Sequence, residues 1–171
     1  MMTIDIAKIK IKPALSMQFS VQDEVDVSLH GYSEFVLRSP LIAMGKVTNL
    51  GDGDFGVTGN YSVEAELVCG RCTKPYVTTF AAAFETRFST HPQSTPEDEE
   101  SVWLVDGDCI ELTPVILSEI SFNLPMQPLC REDCRGLCPV CGVDLNEHSC
   151  SCAEDIIDPR WEKLKNFKFD N

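Results

Sequence analysis

The stretch LIAMGKVTNLGDGDFGVTGNYSVEAELVCGRCTKPYVTTFAAAFETRF, residues 41–88, carries the pattern that decides the fold. Apolar and polar residues alternate on both sides of GDGD at 51–54, as they do in half-buried strands. The glycines of that turn tolerate the positive φ that a tight hairpin requires. A second turn at CGRC, 69–72, leads into another alternating segment from Tyr76 to Phe88. We therefore predict an antiparallel meander of three strands with two cysteines at one hairpin tip.

Shorter strands are predicted outside this meander. IDIAKIKIK at 4–12 alternates apolar and basic residues, and residues 17–29 alternate with a break near Asp23 and Glu24. Residues 102–105 form a further short apolar run before the turn at Asp106. Together these segments predict a mainly β (α+β) protein built on an antiparallel, barrel-like meander.

Two short helices are predicted from one start signal, a capping side chain followed by proline at the first helical position. Thr113-Pro114 opens the first helix, and Pro125 follows its end. Asp158-Pro159 opens the second, at the C-terminal end of the chain.

The length of 171 residues and the hydrophobic content of 43% suit one core domain with a small appendage. We expect a β-rich core at 1–128 and a cysteine-rich segment with the C-terminal helix, packed on that core, at 129–171. The polar, acidic residues at about 89–100 predict a flexible loop. The sequence shows neither a secretory signal nor an apolar run long enough to cross a membrane, so we expect a cytoplasmic protein.

The formal net charge of −13 comes from 27 acidic and 14 basic residues. It opposes a general coating of nucleic acid, because binding to phosphates draws most of its affinity from basic residues. Residues 88–130 hold eight acids and no Lys or Arg. This segment suits either a basic protein partner or a solvated loop.

Six of the nine cysteines lie in CREDCRGLCPVCGVDLNEHSCSC, residues 130–152, and two more form the CGRC turn. Pairs separated by one to three residues allow two thiolates to converge on one ion, as in structural zinc sites. A reduced compartment favours metal binding over disulfides. We therefore predict one or two structural Zn²⁺ ions held by Cys69, Cys72, Cys130, Cys134, Cys138, Cys141, Cys150 and Cys152.

The preferred partition places one zinc on the last four of these cysteines. The second site then joins Cys130 and Cys134 to Cys69 and Cys72, which ties the C-terminal segment to the hairpin tip. Other partitions remain open, as does a ligand role for His148. Iron–sulfur chemistry uses the same ligand type, and CGRC alone is also compatible with a redox pair. The remaining Cys109 is expected to be a small buried residue.

The sequence contains no recognisable catalytic constellation and no glycine-rich phosphate loop, so we expect a protein without enzymatic activity or a small-molecule substrate. A four-cysteine zinc site has no open position for a reacting water and is structural.

Four segments together resemble the YceD family, the large ribosomal RNA subunit accumulation proteins: VCGRCTKPY at 68–76, CIELTPVILSEISFNLPMQPLC at 109–130, CRGLCPVCGVDLNEHSCSC at 134–152 and DPRWEKL at 158–164. The resemblance implies a cytoplasmic ribosome-biogenesis factor needed for 23S rRNA synthesis, processing or stability. It further implies that the partner is 23S rRNA or a pre-50S particle. Some members of the family lack the C-terminal cysteine cluster, which implies that zinc supports the fold of a subset of members and is not the shared activity.

Binding, and not catalysis, is then the expected mode of action. Five basic residues are the candidate contacts with RNA or a partner: Arg71, Lys74, Arg131, Arg135 and Arg160. The first four lie next to the expected zinc ligands in the sequence, and Arg160 lies nearer the C-terminus. Two alternatives stay open. One is an acidic adaptor or chaperone for a basic ribosomal protein, and the other is a thiol or iron–sulfur redox protein.

Overall fold

The computed structural model of the protein describes residues 1–91 and 102–152. Within them the fold is mainly β, as predicted, with a large sheet curled into half a barrel and two helices. The strands are β1 (Thr3–Asp5), β2 (Ser16–Asp23), β3 (Val36–Leu37), β4 (Leu41–Gly51), β5 (Asp54–Val68), β6 (Pro75–Ser89), β7 (Val102–Leu104) and β8 (Cys109–Glu111). The helices are α1 (Ala7–Lys10) and α2 (Thr113–Phe122), and a 3₁₀ helix spans Val27–His30.

The predicted meander forms the centre of the large sheet. Strands β4 and β5 meet at the GDGD turn, where Gly51 and Gly53 take φ values of 97° and 84°. Strand β5 then pairs with β6 without a break in register, from Asp54 opposite Ser89 to Val68 opposite Pro75. The two strands are therefore long and continuous, and their far end presents the CGRC turn.

The remaining strands extend this sheet or form a small second one. The order in the large sheet is β2-β4-β5-β6-β7, with β3 paired to β5 beyond the end of β4. The pairing of β7 with β6 is parallel and short, whereas the other pairings are antiparallel. Strands β1 and β8 form a separate two-stranded sheet.

One hydrophobic core lies against a single face of the curled sheet. Alternate residues of β5 point into it, and Tyr61, Val63, Ala65 and Leu67 are buried as the alternation predicts. Helix α2 closes this core with Val115, Ile116, Leu117 and Ile120. The helix therefore packs on the sheet at the point where the chain turns toward the cysteine segment.

The prediction of one strand over residues 4–12 is wrong. The strand ends at Asp5, and helix α1 follows at Ala7–Lys10. The alternation of apolar residues is interrupted between Ile6 and Ile9. Their spacing of three residues places both side chains on the same side of a helical turn, where both are buried in the protein core. The side chain of Asp5 also accepts a hydrogen bond from the amide of Ala7 at 2.9 Å, which supports the change of direction. Ile11 remains 83% exposed.

Two expectations for single residues also fail. Cys109 is exposed, because the inward position of the three-residue strand β8 belongs to Ile110. The N-cap of α2 is Leu112 and not Thr113. The hydroxyl of Thr113 is buried and accepts a hydrogen bond from the amide of Met2 at 2.8 Å, so it links α2 to the N-terminal strand instead.

Several predictions lie outside the described residues. They are the acidic loop beyond His91, the C-terminal helix that starts at Asp158, and Arg160. The division into a core at 1–128 and a segment at 129–171 stays a prediction for the same reason.

Candidate metal centres and their surroundings

The first pair of cysteines sits in the turn between β5 and β6. The amide of Cys69 donates to the carbonyl of Lys74 at 3.0 Å, and the amide of Thr73 donates to the carbonyl of Cys69 at 2.9 Å. Thr73 adopts a left-handed φ of 58°, which lets the chain reverse within this short turn. The turn keeps Cys69 and Cys72 next to each other, and both are buried.

The second pair reaches the same place from the end of α2. The amide of Gly70 donates to the carbonyl of Pro128 at 2.7 Å, which fastens the segment after α2 to the hairpin tip. The sulfur atoms of Cys69, Cys72, Cys130 and Cys134 then lie within 4.8 Å of one another. We call this set the tip group.

The spacing of the tip group fits a tetrahedral metal. The sulfur atoms of Cys69 and Cys134 are 3.9 Å apart, and those of Cys72 and Cys130 are 3.7 Å apart. A regular tetrahedron with zinc–sulfur distances of about 2.3 Å has edges of about 3.8 Å. The four sulfurs are therefore already placed as the ligands of one ion would be.

A second set of sulfurs lies further along the cysteine segment. Those of Cys138, Cys141, Cys150 and Cys152 lie within 4.8 Å of one another, and we call this set the loop group. The amide of Cys138 donates to the carbonyl of Val143 at 2.8 Å, and Gly142 has a φ of 74°. The amide of Val140 approaches the sulfur of Cys138 at 3.4 Å. Knuckles that hold zinc use the same combination of a tight turn and amides directed at sulfur.

The pKa values of these thiols show why a cation suits both groups. Hydrogen bonds from the backbone amides of Cys72 and then Cys130 lower the pKa of the Cys69 thiol to about 6. The pKa of the Cys130 thiol is raised to about 12, mainly by burial. In the loop group, the amide of Cys141 lowers the pKa of Cys138 to about 6, and the neighbouring Cys141 sulfur raises that of Cys152 to about 12. One thiolate forms readily in each group and further ones are opposed. A bound divalent ion removes that opposition.

The donor set selects among metals. Four thiolates and no oxygen ligand suit zinc or an iron–sulfur cluster, and do not suit magnesium or calcium. His148 is exposed and belongs to neither group. The described residues can therefore hold two ions in closed sulfur sites.

Asn146 connects the two groups. Its amide nitrogen lies 3.5 Å from the sulfur of Cys134 in the tip group and 2.7 Å from a carboxylate oxygen of Asp144. Its amide oxygen accepts hydrogen bonds at 2.8 Å from the guanidinium of Arg131 and from the backbone amide of Arg135. The loop between Cys141 and Cys150 is thereby held against the ligands of the other group.

An ion pair makes a second connection between the hairpin and this loop. The ammonium group of Lys74 lies 2.7 Å from Asp144 and also contacts Glu147. The ion pair with Lys74, followed by hydrogen bonds from Asn146, lowers the pKa of Asp144 to about 2, and the same carboxylates raise the pKa of Lys74. The positive charge of Lys74 is thus balanced by these two carboxylates within the protein.

The other candidate contact residues differ in how far their charges are engaged. Arg71 donates to the carbonyls of Cys134 at 2.8 Å and Glu132 at 3.2 Å, and its own carbonyl accepts from the amide of Leu137. Arg131 donates to Asn146. Arg135 is exposed, and within the described residues its guanidinium makes no hydrogen bond or ion pair.

The sequence interpretation missed Asn146 and Asp144. A signal was available, because Asp-x-Asn in a short loop is typical of a turn in which the first side chain accepts from the following backbone. The carboxylate of Asp144 does accept from the amide of Asn146 at 2.9 Å. What the sequence could not indicate is that this turn lies against the tip group.

A sequence profile adds the family to this geometry. The profile described as "Large ribosomal RNA subunit accumulation protein YceD" matches residues 57–168, which include both cysteine groups. The chain belongs to this family. The name of the YceD family gives a role in the accumulation of the large-subunit ribosomal RNA, and the resemblance of the sequence to this family is confirmed.

Individual relatives within bacteria extend the similarity over the N-terminal strands. The uncharacterized protein Rv2926c of Mycobacterium tuberculosis is 32% identical over 172 residues, which cover 95% of this chain and 79% of that protein. The uncharacterized protein Mb2951c of Mycobacterium bovis gives the same values. The uncharacterized protein YlbN of Bacillus subtilis is 30% identical over 113 residues, 66% of this chain and 63% of its own.

No solved structure is significantly similar to the chain. Among residues 1–91 and 102–152, no helix has the length and apolar character needed to cross a membrane.

Proposed function

We propose that the protein is a cytoplasmic ribosome-biogenesis factor that supports the accumulation of 23S rRNA by binding the pre-50S particle, without catalysing a reaction. The observation that carries this proposal is the family match over residues 57–168. In this proposal two Zn²⁺ ions, one in the tip group and one in the loop group, stabilise the segment that contacts the partner.

The contact surface that we propose lies around the tip group and includes Arg71, Lys74, Arg131 and Arg135. Arg160, which lies outside the described residues, stays a candidate from the sequence. The first three make internal contacts that fix the loop. Arg135 is exposed next to Cys134, so among the four of these residues that the structure describes its charge is the most available to a partner.

Cells that lack the protein and carry a plasmid copy provide the test. We expect the ratio of 23S to 16S rRNA to fall without the plasmid and to recover with the wild-type copy. Arg135→Glu should lower co-sedimentation with pre-50S particles. Lys46→Glu, the same charge reversal on strand β4 far along the sequence from the cysteines, should leave it unchanged. An unchanged 23S to 16S ratio in cells without the protein would contradict the proposal.

A second candidate function is that of an acidic adaptor for a basic ribosomal protein. The observations that favour it are the net charge of −13 and the internal neutralisation of Lys74. Deletion of residues 97–100 (EDEE) separates the two functions, because only the adaptor should lose its partner. The redox alternative has its own readout, since an iron–sulfur protein is brown and a zinc protein is colourless.

A further inference from the structure

Strand β6 has a long edge with no described partner. On one side it pairs with β5 along its whole length, from Pro75 to Ser89. On the other side β7 pairs with it only at Arg87, Phe88 and Ser89. Along residues 76–86, the edge of β6 opposite β5 therefore has no strand beside it among residues 1–91 and 102–152.

The hydrogen bonds at the end of β6 reveal which backbone groups point to this open side. The carbonyl of Ser89 accepts from the amide of Val105, on the side of β7, whereas the amide of Thr90 donates to Gly53, on the side of β5. In an antiparallel strand the N–H and C=O of one residue point to the same side, and consecutive residues alternate. The odd-numbered residues of β6 therefore direct both groups to the open edge: Val77, Thr79, Ala81, Ala83 and Glu85.

The sequence of this edge has none of the features that usually prevent pairing with another chain, although helix α2 lies close to part of β6. The segment YVTTFAAAF, residues 76–84, contains no charged residue, no proline and no glycine, and its register with β5 has no bulge. Proteins normally protect open edges with lysines, prolines, bulges or very short strands. An unprotected edge of this length is a template for an added strand, in which main-chain hydrogen bonds supply the affinity.

The two faces of β6 define what an added strand would carry. On the inner face, Tyr76, Phe80 and Ala82 are only partly buried against the core, so apolar side chains on the new strand would cover them. On the outer face, Thr79, Ala81 and Ala83 are small and exposed. A long side chain crossing these residues meets the carboxylates of the neighbouring strand or of β6 itself.

Those carboxylates determine the sign of the charge. Glu64 lies opposite Thr79 on the outer face of β5, and Glu85 ends the uncharged stretch of β6. Glu66, opposite Val77, is already paired with Arg38 at 2.8 Å and contributes less to the attraction. Lysine or arginine at outward positions of an added strand would be attracted to them. A second copy of this chain, which also carries −13, would be repelled.

We propose that the open edge of β6, residues 76–86, binds an extended segment of a partner protein in which basic residues alternate with apolar ones. The added strand continues the large sheet beyond β5 and β6. This inference rests on the proposed action by binding. Its surface begins at Tyr76, which packs against the tip group, and runs away from the cysteine groups along β6. Arg135→Glu tests that action, whereas changes in β6 test only the strand site.

Hydrogen exchange of the full chain, with its metal retained, tests the edge directly. The probe is a synthetic peptide of alternating lysine and valine. In the free protein, we expect fast exchange at the amides of Thr79, Ala81 and Ala83 and slow exchange at Thr78, Phe80 and Ala82. The peptide should slow the first set by about tenfold or more, because each of those amides gains an acceptor. It should leave the second set unchanged.

Variants separate strand pairing from attraction of charge. Ala83→Pro removes one outward N–H at an edge position where proline is tolerated, and should lower the affinity for the lysine–valine peptide by about fivefold. Ala81→Lys should lower the affinity for this peptide, whereas Ala81→Glu should not. Met44→Lys, on the outer face of β4, is the control because it adds the same charge away from the edge. A matched peptide of alternating glutamate and valine should not bind.

Three outcomes would overturn the inference. Slow exchange of the outward amides in the monomeric free protein would show that the chain itself covers the edge. Protection together with a dimer in solution would make a second copy the occupant. Binding of the glutamate peptide as tight as that of the lysine peptide, or binding of neither, would exclude a basic extended partner.

Discussion

Asn146 is the side chain whose contacts reach farthest across the cysteine segment. It touches the sulfur of Cys134 and holds Arg131 and the backbone of Arg135, although it is itself neither a ligand nor charged. Loss of a side chain that orients a metal ligand typically lowers metal affinity by about 10–100-fold. The behaviour of this single amide therefore reports on whether the two groups are held together.

Asn146→Ala should lower the free energy of unfolding by about 1–3 kcal/mol, since several polar groups lose their partner at once. Asn146→Asp should weaken metal binding more than alanine does, because it replaces the donor next to the Cys134 sulfur by a negative charge. Urea unfolding and competition with a zinc chelator measure the two effects. His148→Ala, an exposed change in the same loop, is the control, and equal stability of Asn146→Ala and His148→Ala would refute the role.

Asp54 gives a pH-dependent prediction at a distance in sequence from the cysteines. Hydrogen bonding to Ser89, then the contact with Arg87, lowers the pKa of its carboxyl below 3.8 in the folded protein. A lowered pKa stabilises the fold at pH values above 3.8, and this contribution is lost as the pH falls through the folded pKa. The stability difference between the wild type and Asp54→Asn should therefore be largest near neutral pH and shrink in acid.

Urea midpoints of both proteins across that range provide the measurement. Acid also weakens metal binding, but it does so in both proteins, and only their difference is compared. A difference that stays constant from about pH 7 to about pH 3 would contradict the assignment.

At the scale of the element, a pair of glycines sets the contact between β4 and β5. Gly45 lies opposite Gly59, and a Cβ added to Gly45 would lie 2.1 Å from the carbonyl oxygen of Thr58. Phe84 lies over the second glycine, whose added Cβ would be 3.1 Å from the ring. Backbone atoms cannot yield as a flexible side chain does, so this site accepts only glycine.

Gly45→Ala should therefore destabilise the protein by about 2–4 kcal/mol. Gly56→Ala is the matched control in β5, because its Cβ would meet Leu50 at 3.5 Å, an ordinary contact. Its effect should stay within about 0.5 kcal/mol. Urea unfolding measures both, and a Gly45→Ala protein as stable as Gly56→Ala would show that the sheet relaxes around the new methyl group.

The elements also show what the sequence can predict. The β4–β5–β6 meander is readable because its alternation and turn residues are local properties of the chain. Helix α1 is not, because the change of phase between Ile6 and Ile9 is a weak signal that the contacts of Asp5 decide. The burial of Cys109 failed for a related reason, since a strand of three residues has only one inward position and Ile110 takes it.

In the molecule as a whole, the two cysteine groups connect different parts of the chain. The tip group joins residues from the β5–β6 turn to residues after α2, which are far apart in sequence. The loop group closes a segment of the chain upon itself. The sequence favoured these two sets of cysteines among other partitions that stayed open, whereas the ion pair of Lys74 with Asp144 depends on the folded arrangement.

Removal of metal should therefore loosen the cysteine segment and leave the sheet folded. We expect limited proteolysis after chelation to cut between residues 130 and 152 and to spare β4, β5 and β6. Cys69→Ser with Cys72→Ser should expose the whole segment, whereas Cys150→Ser with Cys152→Ser should expose only the loop from Cys138 onward. Equal cleavage patterns in the two double variants would contradict this division.

If the cysteines form two closed zinc sites, metal analysis with thiol counting on protein purified under reducing conditions should find two zinc ions per chain. It should also find one freely reactive thiol, which is the exposed Cys109. One zinc with about five reactive thiols would leave only one of the groups as a site. Iron, or no metal with the cysteines in disulfides, would contradict the structural zinc account as a whole.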